Sequence, residues 1–131
     1  MLFGISFWWV LLAVVVYFGI GAVWYSPLMF MKQWQAEIKR KSADMNMAMS
    51  AMVITFLAMV VLVIVEAYLV HATGAKGWMR GAYLGLKIWV GFVATTALVN
   101  STFQGGSKKL YAIDQSYHLV GILLAGAILA H

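Results

Sequence analysis

The chain has 131 residues, of which 64% are hydrophobic and 10% are charged, and its mean hydropathy is +0.90. A soluble domain is roughly half apolar, so this composition excludes an ordinary soluble protein and indicates a lipid environment. The lack of cysteine excludes disulfides and thiolate metal sites, and the net charge of +5 comes from short loops rather than from a basic stripe that could bind nucleic acid.

The first apolar run covers about residues 5–25 and is long enough to cross a bilayer once. A secretory signal peptide is the rival interpretation. Signal peptides begin with a positively charged region and have a shorter apolar stretch, and this run has neither property. The pattern therefore favours a membrane-spanning helix.

The segment after Pro27 combines an apolar face with basic residues. Proline ends the preceding helix or begins a new one. The apolar face consists of Met31, Trp34 and Ile38, and the basic end consists of Lys39, Arg40 and Lys41. This pattern predicts a short interfacial helix whose basic end contacts anionic lipid heads, with a plain solvated loop as the alternative.

The second crossing, about residues 45–70, carries a stripe of large apolar residues at spacings of four and three: Met45, Met49, Met52, Phe56, Met59 and Val63. Such a stripe predicts a tightly packed helix face. Thioethers can also bind Cu(I), but no cysteine or close histidine supports a metal site. Glu66 ends the stripe about one turn inside the boundary, where a carboxylate is costly unless it is paired or protonated.

The third crossing, about residues 78–101, opens with Gly77, Gly81 and Gly85, a spacing that favours close contact with another helix. Lys87 lies about 12 Å inside the segment, and its stem can lean back towards the boundary. We therefore predict an ion pair between Glu66 and Lys87. The pair is either structural or takes part in proton or substrate movement.

The fourth crossing covers about residues 110–131, after a turn at Gly105 and Gly106 and a helix cap at Ser107. Asp114 and His118 share one face. Asp114 is favourable near a helix start and so can be purely structural, but it can also pair with His118, which titrates near neutral pH. Many polar side chains gather between residues 89 and 118, so we expect the other helices to pack around this hairpin.

The basic loop residues predict the orientation. The first and third loops carry Lys32, Lys39, Arg40, Lys41, Lys108 and Lys109, whereas the second loop region carries only Lys76 and Arg80. By the positive-inside rule, the first and third loops are cytoplasmic and both termini lie outside the cell membrane.

Two stretches carry a family resemblance. GAVWYSPLMF closes the first crossing, and NSTF followed by KLYAIDQSYHL spans the last turn. Together they resemble a bacterial family of small four-helix membrane proteins known as domain of unknown function 1761, in which glycine often stands where this chain has Ser116. The resemblance implies a multi-pass membrane fold and brings no established activity. It makes the following residues functional candidates: Trp24, Tyr25, Ser26, Pro27, Asn100, Asp114 and Tyr117.

The sequence thus predicts a single all-α domain over residues 1–131, a four-transmembrane-helix bundle with no cofactor. Glu66, Lys87 and His118 complete the set of candidate functional residues. The leading hypothesis is a non-enzymatic protein that acts by helix packing, in a homo-oligomer or with a membrane partner. The alternatives are an oligomeric transporter or channel that uses Glu66, and a lipid-modifying enzyme that uses Asn100, Asp114 and His118. The enzyme is disfavoured because there is no nucleophile motif and there are too few metal ligands.

Overall fold

A computed structural model describes residues 2–26, 29, 32 and 45–131, with side chains of the last range from residue 49, and the described residues form four long helices. They are α1 (Phe7–Trp24), α2 (Met45–Thr73), α3 (Trp78–Gln104) and α4 (Lys108–Ala130). Each contains a segment long and apolar enough to cross a membrane. The predicted all-α, four-helix fold is therefore confirmed. The predicted interfacial helix lies outside the described residues, and so do Lys39, Arg40 and Lys41.

Short polar signals set the helix ends. The Ser107 side chain accepts hydrogen bonds from the backbone N–H groups of Lys109 and Leu110, so it caps α4 as predicted. Gly105 ends α3 with a φ of 68°, a left-handed conformation that glycine adopts without strain. The predicted turn between α3 and α4 is confirmed.

Alternate helices run in opposite directions, so the bundle has two distinct ends. At the His71 end, the Trp9 and His131 rings stack with centroids 3.8 Å apart, and the Gly77 N–H donates to the Ala130 carbonyl at 2.7 Å. The opposite end, where α1 stops and α4 starts, is the Asp114 end.

The centre of the bundle is α4, which packs against all three other helices. Its contact with α3 depends on glycine, because a Cβ on Gly81 would overlap the Gly126 carbonyl oxygen and one on Gly85 would lie 2.7 Å from the Ile122 carbonyl oxygen. The predicted close contact at Gly81 and Gly85 is therefore made within the chain.

The expected hub, the hairpin between residues 89 and 118, is only half right. Its α4 half is central, but the last part of α3, Thr95–Gln104, contains no buried residue. Just before that part, Trp89–Ala94 forms a π-helical segment. A π turn contains one residue more than an α turn, so it shifts the faces of the residues that follow it. Sequence periodicity alone does not reveal such a shift.

Candidate functional site

Glu66 is enclosed between α2, α3 and α4 and is 2% exposed. Two glycines make room for its carboxylate: a Cβ on Gly126 would lie 2.9 Å from Glu66 Oε2, and one on Gly85 would lie 3.3 Å from the same atom. Neither carboxylate oxygen has a hydrogen-bond partner among the described residues. An ionised carboxylate in that position would lack any compensation for its lost hydration, a cost of several kcal/mol.

The predicted ion pair between Glu66 and Lys87 is wrong. Lys87 is exposed on the outer surface of α3, and its Nζ lies 4.4 Å from the centroid of the Tyr83 ring. Lys87 follows Gly85 by two residues, or about 200° around the helix, so when Gly85 faces Glu66 the lysine must face away. Its stem does lean back by one turn, as expected, but along the surface of α3.

Three fully buried side chains form a layer of the core next to Glu66. Val63, Ile122 and Tyr17 are each 0% exposed. Tyr17 packs its ring against Gly121, where an added Cβ would lie 2.8 Å from two ring carbons. Its hydroxyl shares a 2.6 Å hydrogen bond with His118 Nδ1. Tyr17 is thus the polar group within this apolar layer, and it connects the layer to His118.

Asp114 and His118 do not pair with each other, so the pairing considered from the sequence is wrong. Each bonds instead to a tyrosine of α1: Tyr25 donates from its hydroxyl to Asp114 Oδ1 at 2.5 Å, and Tyr17 meets His118. Burial is the main cause that raises the pKa of Tyr25 above its ordinary value, and the hydrogen bond to Asp114 adds to it. The Tyr25 phenol therefore stays protonated and remains a donor.

The two stretches that carry the family resemblance pack against each other. The Trp24 Nε1–H donates to the Ile113 carbonyl at 3.0 Å, next to the bond between Tyr25 and Asp114. One turn earlier on α1, a Cβ on Gly21 would lie 2.7 Å from the Tyr117 hydroxyl oxygen. That hydroxyl donates to the Tyr17 carbonyl at 3.1 Å. The motif residues of α1 and α4 therefore form one continuous interface.

Two other candidates have local or peripheral positions. The Ser26 hydroxyl donates to the Val23 carbonyl at 2.6 Å, within the last turn of α1. Asn100 is exposed on α3 and makes no hydrogen bond to any described residue, so the structure does not bring it to Asp114. Ser116 is exposed as well.

Sequence reasoning missed Tyr17, Trp89 and Gln115. Tyr17 is a hydroxyl-bearing residue in the middle of an apolar run, and this was a usable signal because a phenol buried in lipid or protein needs a partner. The Trp89 Nε1–H donates to the Gln115 carbonyl at 3.0 Å. The Gln115 side chain is 8% exposed and its Oε1 has no partner among the described residues. Its position in the first turns of α4 gave no hint of this burial.

The described part of the structure contains two cavities near the candidate functional residues. The His71 cavity, of about 500 Å³, is lined by Val70 and Ala130 among others. These are one helical turn from Glu66 and Gly126 respectively. The Asp114 cavity, of about 630 Å³, lies between α1, α2 and α4 and is lined by Asp114, Tyr117 and His118 among others.

The profile of a family described as "Protein of unknown function (DUF1761)" matches residues 8–130. The chain belongs to this family. The matched range contains Glu66 and the whole interface between α1 and α4, so the DUF1761 region and the helical bundle coincide. No curated protein matches the chain, and no solved structure matches it. Four helices long and apolar enough to span a membrane, together with the family match, fit a multi-pass membrane protein.

Proposed function

We propose that this DUF1761 protein transports protons across the membrane and that Glu66 is the group that carries them. The observation that supports this most directly is the burial of Glu66. The residue is 2% exposed, and neither carboxylate oxygen has a hydrogen-bond partner among the described residues. A structural carboxylate in a membrane protein is normally paired with a cation or with hydrogen-bond donors. An unpaired one is suited to bind a proton and to release it when a conformational change admits water.

We infer that the proton route passes Glu66 between a cavity on one side and a hydrogen-bonded pair on the other, and that it opens when the bundle changes conformation. Towards the His71 end, Val70 and Ala130 line a cavity and lie one helical turn from Glu66 and Gly126. Towards the Asp114 end, the Tyr17 hydroxyl and His118 lead to a second cavity that His118 lines. Hydroxyl and imidazole groups can pass a proton along hydrogen bonds. A proton would reach Glu66 through the first cavity and leave through Tyr17 and His118, or travel in the opposite direction.

The test is proton flux into proteoliposomes that contain a trapped pH-sensitive dye, with the membrane potential clamped by potassium and valinomycin. We expect wild-type protein to conduct protons above the level of protein-free liposomes and Glu66→Gln to lower the flux by at least about tenfold. Lys87→Gln is the matched control, because it removes a charge from a nearby position that faces away from the carboxylate, and it should conduct like wild type.

Wild-type flux no greater than that of lipid alone would overturn the proposal. So would a flux that Glu66→Gln leaves unchanged, provided that the variant elutes at the wild-type position in size-exclusion chromatography. A loss of flux in Lys87→Gln equal to that in Glu66→Gln would show that the effect is a general one of charge removal.

We further propose a non-enzymatic protein of the inner cell membrane with the Asp114 end in the cytoplasm. The basic residues Lys108 and Lys109 stand at that end and support this orientation. Lys39, Arg40 and Lys41 are proposed to bind anionic lipid heads. Cysteine-accessibility labelling of Ser107→Cys and Lys76→Cys in inverted vesicles tests the orientation. Labelling of Lys76→Cys from the cytoplasmic face would contradict it.

Assembly by helix packing remains a second candidate, and the exposed surface of α3 favours it. Phe92 is 72% exposed and Phe103 is 88% exposed, and lipid or a second copy of the chain would cover them. Because Gly81 and Gly85 are already occupied by α4, a homo-oligomer would use this outer surface instead. Native mass spectrometry from lipid nanodiscs tests this candidate. A dimer that Phe92→Ala dissociates would support it, and a monomeric wild type would exclude it.

A further inference from the structure

The Asp114 cavity has the features of a ligand site that is separate from Glu66, which does not line it. Its volume of about 630 Å³ is within the range of small-molecule sites, roughly 300–1,000 Å³. Its walls are mainly apolar and aromatic, with Phe18, Tyr25 and Tyr117 contributing rings. The Tyr25 and Tyr117 rings meet edge to face, with centroids 5.6 Å apart. A hydrophobic molecule with an aromatic or alkyl body would therefore fit these walls.

Two consecutive residues of α4, Asp114 and Gln115, line this cavity, and each carries a hydrogen-bond acceptor with unused capacity. Gln115 is 8% exposed, and its Oε1 is buried with no partner among the described residues. Tyr25 donates to Asp114 Oδ1, and no described residue donates to the other oxygen of that carboxylate. A buried acceptor without a donor is unfavourable, so a ligand that supplies donors would remove this penalty.

The charged residues that line the site determine which sign of ligand charge it favours. Asp114 is an acidic residue, and no lysine or arginine is among the described residues that line the cavity. Aromatic rings attract cations through their faces. Anions are disfavoured by the carboxylate, and a cation without N–H groups would leave Gln115 Oε1 unpaired. The complementary ligand is a cation that carries N–H donors on a hydrophobic body.

We propose that the Asp114 cavity binds a hydrophobic organic ammonium ion. Asp114 acts as its counter-ion, the buried Gln115 amide turns towards the cavity so that Oε1 accepts a second N–H bond, and the rings of Phe18, Tyr25 and Tyr117 surround its hydrocarbon part. The proposed proton route opens into this same cavity through His118, but the ligand-binding groups are on Asp114 and Gln115, and Glu66 does not line the cavity.

The test is isothermal titration calorimetry of purified protein in detergent with 2-phenylethylammonium, after subtraction of the heat measured with protein-free micelles. Two further probes keep the same body: 2-phenylethanol has no charge, and trimethyl(2-phenylethyl)ammonium keeps the charge but has no N–H donor. We expect the ammonium ion to bind at least about tenfold more tightly than the alcohol, since a charge-assisted bond is worth about 1.5–3 kcal/mol. The trimethyl compound should bind with intermediate affinity.

Two variants assign the roles. Asp114→Asn keeps an oxygen to accept the Tyr25 bond and removes the charge, so it should weaken binding of both cations by about tenfold or more. Gln115→Leu should weaken binding of the N–H-bearing cation and leave the trimethyl compound unaffected. Equal affinity for ammonium and alcohol in wild type would overturn the proposal, and so would unchanged ammonium binding by an Asp114→Asn protein whose thermal unfolding is like that of wild type.

The same titration on Glu66→Gln separates this inference from the proposed function. We expect Glu66→Gln to bind 2-phenylethylammonium with wild-type affinity while it loses proton flux. If wild type conducts protons but does not distinguish the ammonium ion from the alcohol, the ligand site is wrong and the proton pathway is not. If ammonium binding is charge-dependent but no proton flux occurs, the proton pathway is wrong and the ligand site is not.

Discussion

Tyr17 of α1 and His118 of α4 share a hydrogen bond of 2.6 Å next to a layer of fully buried side chains. Tyr17→Phe would remove the hydroxyl and leave the imidazole nitrogen without this partner. We expect a loss of about 1 kcal/mol in unfolding free energy and a several-fold fall in proton flux. Tyr83→Phe is the matched control, because the Tyr83 side chain is 60% exposed. If both variants keep wild-type flux, Tyr17 is not part of the proton route.

Gly81 permits backbone contact between α3 and α4. A methyl group at this position would overlap the Gly126 carbonyl oxygen, so Gly81→Ala must push the helices apart. We expect it to destabilise the protein by at least about 1–3 kcal/mol, measured as a lower Tm in detergent. Gly91→Ala makes the same chemical change where nothing lies within 4 Å of the new methyl group, and it should raise or keep Tm. Equal Tm values for the two variants would contradict the packing described.

Trp24 and Trp89 hold the first turns of α4 from two sides, through bonds of 3.0 Å to the Ile113 and Gln115 carbonyls. Trp89→Phe keeps an aromatic ring and loses the donor. We expect a loss of about 1 kcal/mol in unfolding free energy. The control is Trp78→Phe, since Trp78 is 66% exposed at the start of α3. A larger loss for Trp78→Phe than for Trp89→Phe would argue against this bond as a structural contact.

The sequence predicts the helices and their ends better than it predicts which side chains meet between helices. Hydropathy and length predicted the four helices, because a chain in lipid must satisfy its backbone hydrogen bonds within helices. Local signals predicted the Ser107 cap and the close contact at Gly81 and Gly85. None of these signals indicates which neighbouring helix a given helix face contacts. The predicted ion pair between Glu66 and Lys87 therefore rests on their similar depth in the membrane, although the two side chains face different directions.

The candidate site could be predicted only in part for the same reason. Asp114, Tyr25 and Tyr117 were identified, but their partners were not, because pairing depends on how α1 packs against α4. The π-helical segment at Trp89–Ala94 shifts the faces of the residues after it, and Asn100 is exposed. Tyr17 was overlooked because one hydroxyl in an apolar run hardly alters its hydropathy.

Stability at high pH should depend on Tyr25. Burial first, and the Asp114 hydrogen bond second, raise the pKa of Tyr25 in the folded protein. A tyrosine in the unfolded chain loses its proton near pH 10, so the folded state binds more protons above that value. The contribution of Tyr25 is therefore fully present below about pH 10 and is lost as pH rises further. The slope of Tm against pH above about pH 10 should be steeper for wild type than for Tyr25→Phe, and identical slopes would contradict this assignment.

The most direct test of the central claim is infrared difference spectroscopy of the reconstituted protein while the bulk pH is stepped between about 5 and 9, the range in which a physiological proton carrier must exchange. The account predicts a carboxylic-acid C=O band that changes with pH, is absent in Glu66→Gln and persists in Asp114→Asn. If no carboxyl band removed by Glu66→Gln responds to pH, the carboxylate is sealed from both sides of the membrane and Glu66 does not carry protons.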